Sequence, residues 1–260
     1  MFLQELNNNK KSRQFGGCLL LCYNRKVKKD IFMKKLLIWD FDGVIADSEK
    51  LWVRAWDEIL RTEKNIILTD KEKETLLVGV SDKTRRERLQ SVIPNLILDD
   101  DFMNKIGQKE IYLGTNFMTA IDGVEKVMSN DNFEHCIATG ATKEQHAWKM
   151  TQFKWIEKYI NPKDFYTVDM VEHGKPEPDL FLLAASSKGY NPKDCIVIGD
   201  SINDFIAARG ANMACIAFIG ATGNDTQEYA EKCKSFDVFG VCSIMEDVNK
   251  TLDNWYNKIG

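Results

Sequence analysis

Residues 36–49 read "LLIWDFDGVIADSE". Four apolar residues run straight into Asp40 and Asp42, one residue apart, and Gly43 follows. A short continuous apolar run predicts a buried strand over 35–40. Ending a buried strand in two carboxylates is costly unless the charges are paired or bound to a cation. Something elsewhere in the chain must offset that cost.

Working outward, strands and helices alternate. Strands are predicted in "EHCIATGA" (134–141), "YTVDM" (166–170), "CIVIGD" (195–200) and "MACIAFIG" (213–220). A turn leads into a helix at "AIDGVEKVMSN" (120–130). Further helices are predicted in "ATKEQHAWKMTQF" (141–153), "DLFLLAASSKGY" (179–190, ended by Gly189) and "SINDFIAARGA" (201–211). Alternation of this kind implies an α/β fold, a Rossmann-like doubly wound parallel sheet with helices on both faces. Residues 48–118 break the alternation. Trp52, Trp56, Ile59 and Leu60 recur at helical spacing and share one helix face, and no strand is evident there. The expected organisation is a core formed by 33–47 and 119–260, with an inserted α-helical domain at 48–118.

In open parallel sheets ligands bind beyond the carboxyl ends of the strands. One predicted strand ends in Asp40 and Asp42, a second in Thr139, and a third in Asp200, with Asp204 four residues on. Lys175 lies in the loop "EHGKPEPD" (172–179). If these strands are neighbours, Asp40, Asp42 and Asp200 converge and repel unless a cation joins them. All-oxygen ligands suit a hard cation, and a site with room for waters and a phosphate suits Mg2+. Lys175 and the Thr139 hydroxyl are then placed to hold phosphate oxygens. The pattern points to phosphoryl transfer, with one carboxylate attacking phosphorus.

The totals agree with a soluble enzyme. The chain has 260 residues, 44% hydrophobic and 28% charged, with a net charge of −4. That balance gives no electrostatic reason to expect nucleic acid, and no apolar run reaches the roughly 20 residues of a membrane span. Seven cysteines are scattered without metal-binding spacing, which reads as reduced, buried thiols of a cytoplasmic protein. Residues 1–32 form a basic extension, with seven Lys or Arg against Glu5 and Asp30. It is expected to be disordered and irrelevant to the chemistry, since "MKKLLIWDFDG" at Met33 looks like a natural start.

Four motifs in order, "DFDGV" (40–44), "IATG" (137–140), "GKPEPD" (174–179) and "GDSIND" (199–204), make the chain resemble the haloacid dehalogenase superfamily of aspartate-nucleophile phosphohydrolases. The resemblance covers about residues 33–248, in the sugar-phosphatase and β-phosphoglucomutase-like branch, and implies that 48–118 is a mobile cap. It implies Asp40 as nucleophile and Asp42 as general acid and base. Thr139, Gly140, Lys175 and the turn at Gly43 would bind phosphate. Asp40, Asp200 and the Asp42 backbone carbonyl would hold Mg2+, with Asp204 supporting its waters or orienting Lys175. Lys83 or Arg85, in "SDKTRRER" (81–88), would reach an anionic substrate when the cap closes. Asp42 argues against the dehalogenase and phosphonate-cleaving branches, which lack that second aspartate.

The expected function is a Mg2+-dependent phosphatase acting on a small phosphorylated metabolite, with no nucleic-acid or membrane partner, as a monomer. A mutase is the alternative. Where the mutase pattern carries a histidine and an arginine, this chain has Trp52 and Asp82. A silent phosphate-binding regulator is a third reading. Sugar phosphates, phosphoglycolate, phosphogluconate and nucleotide monophosphates all remain open as substrates. Trp52 and Trp56 are expected to pack inside the cap, and His135 and His173 to be structural or exposed.

Overall fold

A computed structural model of the chain describes residues 34–221 and 227–259; the basic extension read at 1–32, with Cys18 and Cys22, lies outside them. The first strand, β1 (Lys35–Trp39), is followed by four helices, α1 (Glu49–Lys64), α2 (Asp70–Leu76), α3 (Asp82–Val92) and α4 (Asp100–Phe117). Then come α5 (Val124–Met128), β2 (Phe133–Thr139), α6 (Lys143–Met150), β3 (Phe165–Thr167), α7 (Asp179–Lys188) and β4 (Cys195–Gly199). The chain continues through α8 (Ile202–Gly210), β5 (Ala214–Phe218), α9 (Gln227–Lys234), β6 (Gly240–Cys242) and α10 (Met245–Ile259). The elements α9, β6 and α10 lie beyond the sequence reading.

The six strands form one sheet in the order β3-β2-β1-β4-β5-β6, with every pairing parallel. Strand alternation makes it doubly wound. Leu37 and Trp39 of β1 join Ile137, Ile196, Ile198, Ile216 and Phe218 in one core cluster, which continues into α5 and α10. Leu36 and Ile38 point the other way, with Cys136, Val197 and Cys215, onto α7 and α8. Both faces of every central strand are therefore covered, which explains why these strands read as unbroken apolar runs. Each fully buried large side chain contributes roughly 1.5–3 kcal/mol.

The helices α1–α4 bury a third cluster of their own, including Trp56, Leu60, Leu77, Leu89 and Phe102. Ser81 and Asp99 cap α3 and α4 with their side chains, and Thr69 and Glu72 form a reciprocal capping box on α2. The chain enters and leaves this helical stretch along two adjacent connections: Asp47 N–H donates to Thr119 O at 2.9 Å, and Ile121 N–H to Ile45 O at 2.9 Å. The described cysteines, Cys136, Cys195, Cys215, Cys233 and Cys242, are free and buried. No helix among the described residues is long and apolar enough to cross a membrane.

Candidate active site

The strand order puts β1 between β2 and β4, where the winding direction reverses and a crevice opens at the strands' carboxyl ends. Asp40 N–H donates to Ile198 O at 3.0 Å, which extends the β1–β4 register by one residue and seats Asp40 beside the end of β4. Asp40, Asp200 and Asp204 are buried, and each offers an oxygen within 4.8 Å of the others. Lys175 Nζ bridges Asp40 Oδ1 at 2.8 Å and Asp204 Oδ1 at 2.7 Å. Burial pushes the Asp40 carboxyl up to about 7; Lys175 pulls it back, and Asp204 pushes it further up. Burial, then Asp204 and Asp40, hold the Asp200 carboxyl well above the usual carboxylate range. Burial works against the Lys175 charge, but Asp204 and Asp40 more than offset it and keep the ammonium protonated.

Asp204 has two structural duties. It sits in the first turn of α8, where it completes a capping box with Ser201. Its Oδ2 accepts from Ser201 Oγ at 2.5 Å and Ser201 N at 3.2 Å, while its Oδ1 holds Lys175. Both oxygens are engaged, so Asp204 is arranged to orient the lysine. Among the described residues no hydrogen bond or ion pair engages the Asp200 carboxylate. An all-carboxylate donor set of this kind, buried and charge-dense, fits a hard divalent cation.

Gly43 sits at φ +76°, and a Cβ there would lie 2.1 Å from Asp200 Oδ2. The glycine is required because the backbone passes directly under that carboxylate. Gly140 is under no such demand: a Cβ would meet Lys175 Cε at 3.8 Å, an ordinary contact. Thr139 is buried at the end of β2, and its hydroxyl accepts from Ala141 N–H at 3.1 Å.

Asp42 is expected to offer an ion only its backbone carbonyl, which leaves its side chain to other partners. Its carboxylate lies outside the acidic triad and faces α6, where Lys149 Nζ meets Oδ1 at 2.8 Å and Oδ2 at 2.6 Å. Ser48 Oγ and Trp52 Nε1 donate to the same Oδ1 at 2.8 and 3.3 Å. Burial alone would raise the carboxyl, but the Lys149 charge and hydrogen bond, with Ser48 and Trp52, leave it below its ordinary value. Ser48 is the N-cap residue of α1 and makes no side-chain cap bond; its hydroxyl serves Asp42 instead. Sequence reasoning missed Lys149 and Ser48. A signal for Lys149 exists: it shares the inward stripe of α6 with His146 and Met150, three and four residues apart in this helix, and a lysine on such a stripe calls for a partner.

The expected cationic arm of the helical stretch divides. Lys83 is exposed at the cavity edge. Arg85 is 3% exposed and already engaged: it donates to Leu77 O at 2.7 Å, Asp82 Oδ1 at 3.0 Å and Glu49 Oε1 at 3.1 Å. It acts as a structural cation, since freeing it would strand two carboxylates. Trp56 packs in the α1–α4 cluster, whereas Trp52 belongs to the sheet-side core and lines the cavity. His135 is buried and accepts from Trp39 Nε1 at 3.2 Å, and His173 is exposed beside Asp179. Asp40, Asp42, Trp52, Arg85, Thr139 and Lys175 are among the groups that line a cavity of about 500 Å³.

The family model described as haloacid dehalogenase-like hydrolase matches residues 37–218. "Putative phosphatase YhcW" of Bacillus subtilis (strain 168) is 28% identical over 185 residues, covering 71% of this chain and 83% of that protein. The β-phosphoglucomutase of the same organism is 25% identical over 195 residues, covering 70% and 82%. A conserved haloacid dehalogenase-like protein of unknown function from Agrobacterium tumefaciens superposes with a TM-score of 0.74 at 24% identity, over 85% of this chain and 98% of that one.

Proposed function

The chain belongs to the haloacid dehalogenase-like hydrolase family, and from that premise we propose that it is a Mg2+-dependent phosphatase. Its substrate is a small phosphorylated metabolite, a sugar phosphate or related phosphomonoester, and turnover passes through a phosphoaspartyl intermediate. The observation that carries this reading is Lys175 bridging Asp40 and Asp204 beside an Asp200 carboxylate that has no partner among the described residues.

Asp40 and Asp200, with the Asp42 backbone carbonyl, would hold the ion. When bound, Mg2+ supplies charge neutralisation between the attacking carboxylate and the phosphoryl group. Lys175 and Thr139 steady the phosphoryl oxygens. The Asp40 carboxylate attacks phosphorus, the bond to the leaving oxygen breaks, and Asp42 gives that oxygen its proton. Water then attacks the phosphoaspartate, Asp42 takes the water's proton, and inorganic phosphate and free Asp40 result. Lys149 favours the ionised Asp42 needed in the second half. Delivery of the proton in the first half goes with a loosening of that ion pair once substrate fills the cavity. Helices α1–α4 act as the cap, and the paired connections at 45–47 and 119–121 act as its hinge. The five described cysteines, buried and free, support a reducing, cytoplasmic setting.

The mutase reading is weaker on specific grounds. At the two positions where its pattern carries a histidine and an arginine, the Trp52 indole is committed to Asp42 and the Asp82 carboxylate to Trp56 and Arg85.

The test is inorganic phosphate release from a panel of phosphorylated metabolites with Mg2+, beside the Asp40→Asn variant. Release from one or a few compounds is expected, reduced by at least about 10³-fold in the variant. Retained turnover removes Asp40 as nucleophile. Isomerisation of β-glucose 1-phosphate without phosphate release replaces the phosphatase with the mutase.

A further inference from the structure

Helix α4 lends the cavity one stripe of its surface. Gly107, Glu110 and Ile111, three and four residues apart, all line it. Gly114 continues the stripe one turn on and brings α4 hard against two indoles: a Cβ there would lie 2.5 Å from Trp148 Cη2 and 3.2 Å from Trp52 Cη2. Both tryptophans line the same cavity, with ring centroids 6.3 Å apart at 75°. At Gly107 the reverse holds, and a Cβ would meet nothing within 4 Å. The helix is therefore pinned at one turn and leaves open space two turns away, with Glu110 between them. The other acids of this wall are already paired. Glu49 Oε1 accepts from Arg85 and from Gly79 N–H, and Asp82 Oδ1 accepts from Arg85 and from Trp56 Nε1. Glu110 is half-buried and has no hydrogen bond or ion pair among the described residues. A polar side chain so placed costs stability until something meets it. Burial first, and Asp82 second, push its carboxyl up to about 8, so near neutral pH it is mostly the acid, which both donates and accepts.

We propose that Glu110 recognises the leaving group, by sharing a hydrogen bond with a hydroxyl of the phosphorylated compound. This rests on the phosphatase reading above and names the residue that tells one phosphomonoester from another. On the sheet side Lys175 and Thr139 meet the phosphoryl group. Whatever the phosphorus carries occupies the rest of the cavity, which α4 and the two indoles line. A hydroxyl is donor and acceptor at once, as the protonated carboxyl is, so the two pair in either sense. An ionised Glu110 still accepts from the hydroxyl, so recognition holds in both protonation states. The space beside Gly107 admits the carbon that bears the hydroxyl, and Trp52 and Trp148 offer apolar faces to its C–H groups. A polyol or sugar phosphate supplies all of these features. An alkyl or aryl phosphate without hydroxyls leaves Glu110 unmet, and an unmet polar group is an effective way to reject a substrate.

The probes are glucose 6-phosphate, which bears hydroxyls, and phenyl phosphate, which does not. The readout is the ratio of their kcat/KM values with Mg2+, in the full-length protein. Glu110→Leu is expected to lower that ratio by about tenfold or more. Glu110→Gln keeps a donor and an acceptor and is expected to hold the ratio within about threefold of wild type. Tm is expected not to fall in either variant, since no contact within the protein is lost. An unchanged ratio in Glu110→Leu overturns the proposal; if both substrates fall together, Glu110 acts on Lys149 and Asp42 rather than on the leaving group. A Gln variant as poor as the Leu variant overturns it as well, because charge and not hydrogen bonding would then be at work. Failure of the phosphatase reading is separate: neither compound releases phosphate, and calorimetry on the full-length Asp40→Asn variant with Mg2+ decides. There, adding Glu110→Leu is expected to weaken glucose 6-phosphate by about tenfold relative to inorganic phosphate; no weakening, or no binding of glucose 6-phosphate before the change, overturns the proposal.

Discussion

At the scale of the residue, Lys149 governs Asp42. Both carboxylate oxygens lie within 2.8 Å of its ammonium, and that contact reverses the upward push of burial. Lys149→Met leaves burial opposed only by the Ser48 and Trp52 hydrogen bonds, so Asp42 titrates at higher pH. The acid limb of the pH–rate profile is expected to move upward, kcat is expected to fall by about 10- to 100-fold, and Lys149→Arg is expected to restore both. An unmoved limb would make Lys149 a packing residue only. His146, on the same helix stripe, has neither ring nitrogen hydrogen-bonded among the described residues, and packs edge-on against Phe41 and Phe165 at 5.1 and 5.3 Å. Burial, helped by the Lys149 charge, pushes its imidazole down to about 4 from 6.5. The unfolded chain therefore takes up a proton below about 6.5 that the folded chain refuses until about 4, so stability is intact above the higher value and is lost as pH falls towards the lower. His146→Phe is expected to remove about 2 to 3 kcal/mol of that acid loss, read by urea unfolding near neutral pH and near pH 4.5. Equal acid sensitivity in the two proteins would rule the imidazole out as its source.

At the scale of the element, Arg85 ties α3 to α1 and to the turn at Leu77. Trp56 adds a second tie between the same helices through Asp82, at 2.9 Å. Arg85→Met is expected to destabilise the protein by about 3 kcal/mol, because it leaves Glu49 and Asp82 without a counter-ion, while KM for a neutral phosphomonoester stays within about threefold. Calorimetric melting and steady-state kinetics separate the alternatives: a large rise in KM with an unchanged Tm would make Arg85 a substrate cation after all. The sheet elements are simpler. Each central strand alternates its side chains between two apolar clusters, so its position is fixed by burial on both faces.

At the scale of the whole molecule, the acidic triad is assembled from β1, the end of β4 and α8, with Lys175 reaching in from a loop. Its carboxyls bind protons more tightly than free ones because burial and mutual repulsion both oppose ionisation. If Mg2+ binds there it would have to displace those protons, so its affinity is expected to weaken as pH falls below about 7, by up to about tenfold per pH unit for each proton released. Calorimetry at pH 6 and pH 8 reads this directly; a pH-independent affinity would take Asp40 out of the ligand set.

The sequence by itself determined the chemistry-bearing ends of the strands. Asp40, Thr139 and Asp200 each follow an apolar run, and parallel strands laid side by side bring their carboxyl ends to one crevice whatever the loops do. Lys175, in its proline-rich loop, and Asp204, in the first turn of a helix, fall into place with them. The tertiary structure decided what each of these groups meets. Lys149 and Asp42 are 107 residues apart, and local spacing does not encode how closely an inward-facing lysine approaches a particular carboxylate. The basic run at 81–88 reads as an arm for an anionic substrate until α1 and α3 pack and bury Arg85 between two acids. The short strand β6 has three residues, too few for an alternating pattern, and is held by pairing with β5. Composition and periodicity fix which face of an element is buried; only the meeting of faces fixes which charges become partners, and here that pairing sets the character of the cavity.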